Sequence, residues 1–244
     1  MFALTSAAAL WGLPRIEPWP DSVRVLVHKR ARGRGSALVR PHVGREAAGA
    51  EHSGLVVTSV ARTVVDLART GSLVSAVAAA DHALRHGLCS REDLVAEVDA
   101  VKPRVRGRRT AGLVVALADP LSMSPGESLS RVQMFLLNLP RPTLQQQVND
   151  ADGFIGLVDF GWEGVVGEFD GKVKYRLPDG ADPREATEIL WREKAREDRL
   201  RRCSRVARWT WSVALERNRL AGVLAQHGIR SQPTSTWLAE RPAA

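Results

Sequence analysis

Apolar and polar positions alternate by twos in some stretches of the chain and recur every three to four residues in others. The change of period marks out the elements. Residues 154–175, Phe-Ile-Gly-Leu-Val-Asp-Phe-Gly-Trp-Glu-Gly-Val-Val-Gly-Glu-Phe-Asp-Gly-Lys-Val-Lys-Tyr, read as two β-prone strands joined by a tight turn at Glu163-Gly164. Leu144 to Val148 begins the same sheet. Val206-Ala-Arg-Trp-Thr-Trp211 reads as a strand beside the one that carries Glu168, with Val206, Arg208 and Thr210 on one face. Val23 to His28, Ser36 to Val43 and Leu55 to Thr58 read as further short strands. Helical spacing predicts a short helix over 3–12, three helices starting near Ser59, Ser72 and Ser90, and another over 108–118. Ser124-Pro-Gly-Glu127 places an N-cap, a proline at the first helical position and a glutamate three residues after the cap. Asp182-Pro-Arg-Glu185 is a second capping box, opening a long helix to about Arg202, and a terminal helix follows over 213–227.

The expected fold class is α/β. A mixed sheet flanked by helices fills residues 122–230. A smaller α+β domain with a small antiparallel sheet fills 1–118, residues 119–121 form the linker, and 231–244 form a loose tail.

The hairpin register carries the candidate chemistry. With the turn centred between 163 and 164, Asp159 falls opposite Glu168, and Asp170 and Lys172 share the face of Glu168. Like charges facing each other across a sheet are unfavourable, so the patch needs a cation. A divalent metal with oxygen ligands satisfies this, and Lys172 is a partial alternative. Carboxylates that hold such a metal against a phosphate oxygen suit phosphodiester hydrolysis, with a lysine orienting the water. A plain solvated acidic face is the competing reading.

Composition narrows the partner. The formal net charge is +8 with a pI near 10.4, which favours an acidic ligand, most simply nucleic acid. A genome rich in Arg codons would leave the same bias. Residues 1–120 carry 17 Lys/Arg against 11 Asp/Glu, and 121–244 carry 18 against 16. The basic surplus therefore lies outside the acidic hairpin. Its densest run is Lys102-Pro-Arg104-Val-Arg106-Gly-Arg108-Arg109, five positive charges in eight residues. That run reads either as phosphate contacts or as a solvated loop. Lys29, Arg30, Arg32 and Arg34 form a second basic stretch. Arg131, four residues after Glu127, either pairs with it or reaches a phosphate. Cys89 and Cys203 make no metal motif, and a reduced, cytoplasmic location is expected. No apolar run approaches the roughly 18 residues of a membrane span, and the N-terminus lacks the basic start of a signal peptide.

Asp159, then Glu168-Phe-Asp170-Gly171, then Lys172 and Lys174, resembles the restriction-endonuclease-like superfamily, and more narrowly its branch related to very-short-patch repair endonucleases. That branch carries Asp on one strand and Glu-x-Asp-Gly on the next, often with His three residues after the Gly. Here Lys174 stands at that place. The resemblance implies Mg²⁺ or Mn²⁺ held by Asp159, Glu168 and Asp170, with Lys172 or Lys174 assisting. It also implies an accessory role for Glu127 beyond its capping box, and Lys194 or Arg199 of the long helix facing the site. Val57-Thr-Ser-Val-Ala-Arg-Thr-Val-Val-Asp-Leu-Ala68 and Ala7-Ala-Ala-Leu-Trp-Gly-Leu-Pro14 resemble actinobacterial proteins grouped with AbiEi-type antitoxins. In those a winged helix-turn-helix usually precedes the second motif, and this chain is expected to lack it. Two functions are thus expected as alternatives. One is a metal-dependent DNA endonuclease. The other is a non-catalytic, antitoxin-like DNA-binding or regulatory protein with a degenerate nuclease fold. DNA, a second copy of the chain or a cognate toxin are the expected partners.

Overall fold

The computed structural model describes residues 1–27, 36–44, 49–171 and 183–238. Lys29, Arg30, Arg32, Arg34, Lys172, Lys174 and the side chains of the box at 182–185 lie outside the described residues. The fold class is α/β, and the chain divides into two compact units, Met1–Val132 and Gln133–Ala244. The division falls inside a helix, downstream of the 119–121 linker of the sequence reading.

The first unit runs α1 (Leu4–Leu10), β1 (Val23–Val27), β2 (Val39–Val43), β3 (Gly49–His52), β4 (Leu55–Thr58), then α2 (Val60–Thr70), α3 (Leu73–Arg85), α4 (Arg91–Asp99) and α5 (Arg108–Leu117). The small sheet was expected to be antiparallel. β3 and β4 are, but β1 and β2 pair in parallel, Val23 against Val39 through Val27 against Val43. Residues 28–38 between them exceed a hairpin turn and approach the dozen that a parallel crossover requires. The start of the chain links the two strand pairs. Phe2 N–H donates to the Val56 carbonyl and its own carbonyl accepts from Thr58, while Ala3 N–H donates to Arg24.

Helix α2 is buried over Val60–Ala68. It carries a charge pair through the core: Arg62 Nε lies 2.5 Å from Asp66 Oδ2, and Arg69 reaches the other carboxylate oxygen at 3.1 Å. The expected pairing four residues apart holds, and it meets the requirement that a buried charge be partnered. Helix α3 buries Ala76, Ala78, Ala79, Ala80 and Ala83, whose small side chains allow α2 and α5 close approach. The caps at Ser59, Ser72 and Ser90 form, the last as a reciprocal box with Asp93.

Helix α6 (Pro125–Leu136) starts in the first unit. The second unit continues with β5 (Thr143–Asp150), β6 (Gly153–Trp162), β7 (Val165–Asp170), α7 (Pro183–Cys203), β8 (Arg205–Thr210), α8 (Trp211–Ala214) and α9 (Arg217–Gln226). The four strands lie in chain order. β5, β6 and β7 are antiparallel, and β8 returns parallel to β7 after the α7 crossover. Val148, Val158, Val166 and Val206 pack with Leu200 of α7. Trp209 lies an odd number of residues from Val206, so it faces the other way. There its ring meets Phe160 at 5.3 Å between centroids.

The terminal segment departs from expectation. Residues 231–238 are anchored rather than loose: Gln232 N–H donates to Asn138, Trp237 is 4% exposed, and its Nε1 donates to the Leu139 carbonyl at 2.7 Å.

Candidate functional site

The β6–β7 turn sits where the sequence puts it. Gly164 has φ +66°, and Trp162 pairs with Val165, Gly161 with Val166 and Phe160 with Gly167. This is the register that sets Asp159 against Glu168, but the pairing stops one step short of them. Across the sheet, Leu144 pairs with Phe160 and Gln146 with Val158, leaving out Gln145, which has φ +48°. Val158 joins the α7 side while Phe160, two residues on, meets Trp209 on the other. Strand β6 therefore changes face at Asp159. The Asp159 Oδ2 accepts the Phe169 N–H at 2.8 Å.

Glu168 lies on the α7 side, between two guanidiniums. Arg196 Nη2 donates to Oε1 at 2.8 Å and Arg208 Nη2 approaches Oε2 at 2.6 Å. Each partner is built in. Arg208 is the register partner of Glu168 on β8. Arg196 crosses the sheet over Gly156, where a Cβ would stand 2.8 Å from its Nε, and also donates to the Leu157 carbonyl. Arg208 continues to Glu197 at 3.2 Å, and Glu197 to Arg201 at 2.6 Å. Hydrogen bonding from Arg201, followed by the charge of Arg208, holds the Glu197 carboxyl below its ordinary range. A second clamp lies on the same helix. Arg199 grips both oxygens of Asp150, at 2.6 and 2.9 Å, and pulls its pKa down to about 2.

The cation that the carboxylate patch needs is thus supplied by arginine. Both Glu168 oxygens are occupied and Asp159 caps a backbone amide. Asp170 is half-buried, with its own partners. Among the described residues no three His, Cys, Asp or Glu side chains gather as a metal-binding group. The donor set expected for Mg²⁺ or Mn²⁺ therefore does not come together among the described residues.

The other expected site residues fall in the first unit. Glu127 is the capping residue of α6: it takes the Ser124 hydroxyl at 2.7 Å and the Met123 N–H at 2.8 Å, at 6% exposure. Arg131 is a correction to the phosphate-contact reading. It is buried against Asp81 at 2.6 Å, with Ser122 and the Leu117 carbonyl also accepting from it, so it has no surface to offer DNA. The run 102–109 is exposed as the sequence suggests. Lys102, Arg104, Arg106 and Arg109 face solvent without an ion pair to any described residue, and Arg108 pairs with Asp99 at 3.1 Å. Gly107, at φ +83°, seats this loop on α2: a Cβ there would stand 2.6 Å from both Cα and O of Arg69.

Sequence reasoning named Lys194 and Arg199 on α7 and missed Arg196. Lys194 lies over the exposed Trp191 ring, 5.4 Å from its centroid, and Arg199 serves Asp150. Two signals pointed to the clamp: Gly156 between the bulky Ile155 and Leu157, and Arg208 on the Val206 face of β8.

No family model and no solved structure matches the chain. It is similar to curated relatives described as uncharacterized proteins of Mycobacterium tuberculosis, from strain CDC 1551 / Oshkosh and strain ATCC 25618 / H37Rv, each 32% identical over 176 residues. The match covers 65% of this chain and 57% of each relative, so the chain spans little more than half the length of those proteins.

Proposed function

We propose that the protein binds DNA without cleaving it, as an antitoxin-like or regulatory member of a nuclease-derived fold. The observation that carries this is the run 102–109, in which Lys102, Arg104 and Arg106 stand in solvent on a loop seated at Gly107 and Arg109 is exposed on the first turn of α5. A backbone already seated loses less conformational freedom on meeting phosphate, and counterion release rewards each contact by its exposed cations. The pairing of Glu168 with Arg196 and Arg208 supports binding over hydrolysis, since it satisfies the acidic patch from within the chain. The order α6-β5-β6-β7-α7-β8, with Asp159 and Glu168 on neighbouring strands, supports descent from the restriction-endonuclease-like superfamily. Two free thiols support a place in the reducing cytoplasm. Among the described residues no helix is long and apolar enough to cross a membrane.

The test is fluorescence anisotropy with a labelled duplex over a range of salt. Binding should weaken linearly in log–log form. Changing Lys102, Arg104, Arg106 and Arg109 together to Gln should flatten the slope by about 0.9 for each phosphate that the variant no longer neutralises, and Asp159→Ala should leave affinity intact. Mn²⁺-dependent cleavage of the same duplex, abolished in Asp159→Ala, would restore the endonuclease reading instead.

A further inference from the structure

The first unit contains a cavity of about 310 Å³ that neither the basic loop nor the acidic hairpin uses. Its walls come from α1, β1, β2 and the end of α2. Arg15, Arg24, His42, Thr5 and Thr70 give it a polar side, and Leu4, Pro20 and Leu67 an apolar one. Among the described residues no acidic side chain lines it. Asp66, the acid nearest His42 in effect, is already held by Arg62 and Arg69. Two guanidiniums, Arg15 and Arg24, stand on the cavity wall, the first of them shared with Glu17 outside the lining.

Further observations bear on what the cavity takes. Leu4 adopts φ +53°, a strained backbone for a bulky residue, at the cavity wall. Burial, with Arg69, Arg62 and Arg24 adding to it and Asp66 opposing, holds the His42 imidazole below its ordinary pKa. It is therefore a neutral ring at pH 7, able to donate or accept. Arg15 is braced for a fixed position: its Nε donates to the Pro18 carbonyl at 3.0 Å and its Nη2 lies 3.6 Å from Glu17.

We propose that this cavity binds a phosphate monoester carried on a small apolar body, with Arg15 and Arg24 on the phosphate and His42 adding a hydrogen bond. Planar guanidiniums match phosphate oxygens in pairs, and the His42 imidazole adds a donor. The volume is at the lower end for ligand pockets, roughly 300 Å³, and excludes a duplex. Leu4, Pro20 and Leu67 suit a ring or short apolar group. The phosphate can come from a free small molecule or from the 5′ end of a strand.

Equilibrium dialysis of the whole chain against AMP, phenyl phosphate and a 5′-phosphorylated hexanucleotide tests this, with adenosine and the 5′-hydroxyl hexanucleotide as controls. Each phosphorylated probe should bind more tightly than its unphosphorylated control, and adenosine should not bind. Arg24→Gln and Arg15→Gln should each weaken the binding of AMP and phenyl phosphate about tenfold or more, the loss of one charge-assisted hydrogen bond. The 5′-phosphate increment of the hexanucleotide, rather than its total affinity, separates this site from the DNA-binding reading. Thermal unfolding identifies variants that fail to fold, and His42→Leu then serves as the second variant. Binding of AMP or phenyl phosphate without the hexanucleotide assigns a free metabolite, and preference for the hexanucleotide assigns a strand end. Absence of binding for all three phosphorylated probes, or folded Arg24→Gln and Arg15→Gln that bind like wild type, overturns the proposal.

Discussion

At Glu168 one carboxylate serves two guanidiniums, and its removal takes one partner from each, leaving Arg208 on Glu197 and Arg196 on the Leu157 carbonyl. The side chain is 15% exposed, so solvent relieves the loss only in part. Glu168→Ala should cost about 1–3 kcal/mol in urea denaturation. Arg208→Met, which fills the space and leaves Arg196 on Glu168, should cost less. The two thiols differ as sharply. Burial, with the nearby Asp93 charge adding to it, pushes the Cys89 thiol up to about 11, whereas Cys203 is exposed near the end of α7. The thiolate is the reacting species. One equivalent of maleimide at neutral pH should therefore label Cys203 first, and peptide mapping should find Cys89 unmodified until the chain is unfolded.

Among the elements, the basic loop and the terminal segment depend on single close contacts. Gly107→Ala places a methyl into the backbone of Arg69 at a positive φ, so the loop must leave its seat. A loss of about 1–3 kcal/mol is expected, together with weaker DNA binding, read in the anisotropy assay. Trp237 inserts beside Phe135, with centroids 5.8 Å apart, and hydrogen-bonds the chain at Leu139. Trp237→Ala should lower stability by about 3–5 kcal/mol. Limited proteolysis should then cut after residue 230, where the wild-type segment resists.

For the molecule as a whole, acid stability follows from the arginine clamps on α7. The folded pKa of Asp150 is depressed to about 2 against about 3.9 in an unfolded chain. A depressed acid contributes stability that is complete above the unfolded value and is lost as pH falls through the folded one. Unfolding midpoints should therefore drop between about pH 4 and pH 2, and Asp150→Asn should flatten that part of the profile. Glu197 is shifted in the same direction and adds to the slope just above it.

Periodicity and turn chemistry, which are local, determined much of this protein from its sequence alone. The helix caps at Ser59, Ser72, Ser90 and Ser124, the Glu163-Gly164 turn, the hairpin register, the place of the 206–211 strand beside Glu168 and the exposure of the 102–109 run all follow from neighbouring residues. Contacts between residues distant in sequence were decided by the tertiary structure. Arg131 meets Asp81 fifty positions away and is buried, and Trp237 finds a seat near Leu139. β1 pairs in parallel with β2, and Arg196 passes over Gly156 to reach Glu168 before any metal is needed. A carboxylate on a strand states only that some cation must answer it. Which cation does so depends on the helix that folds across the sheet.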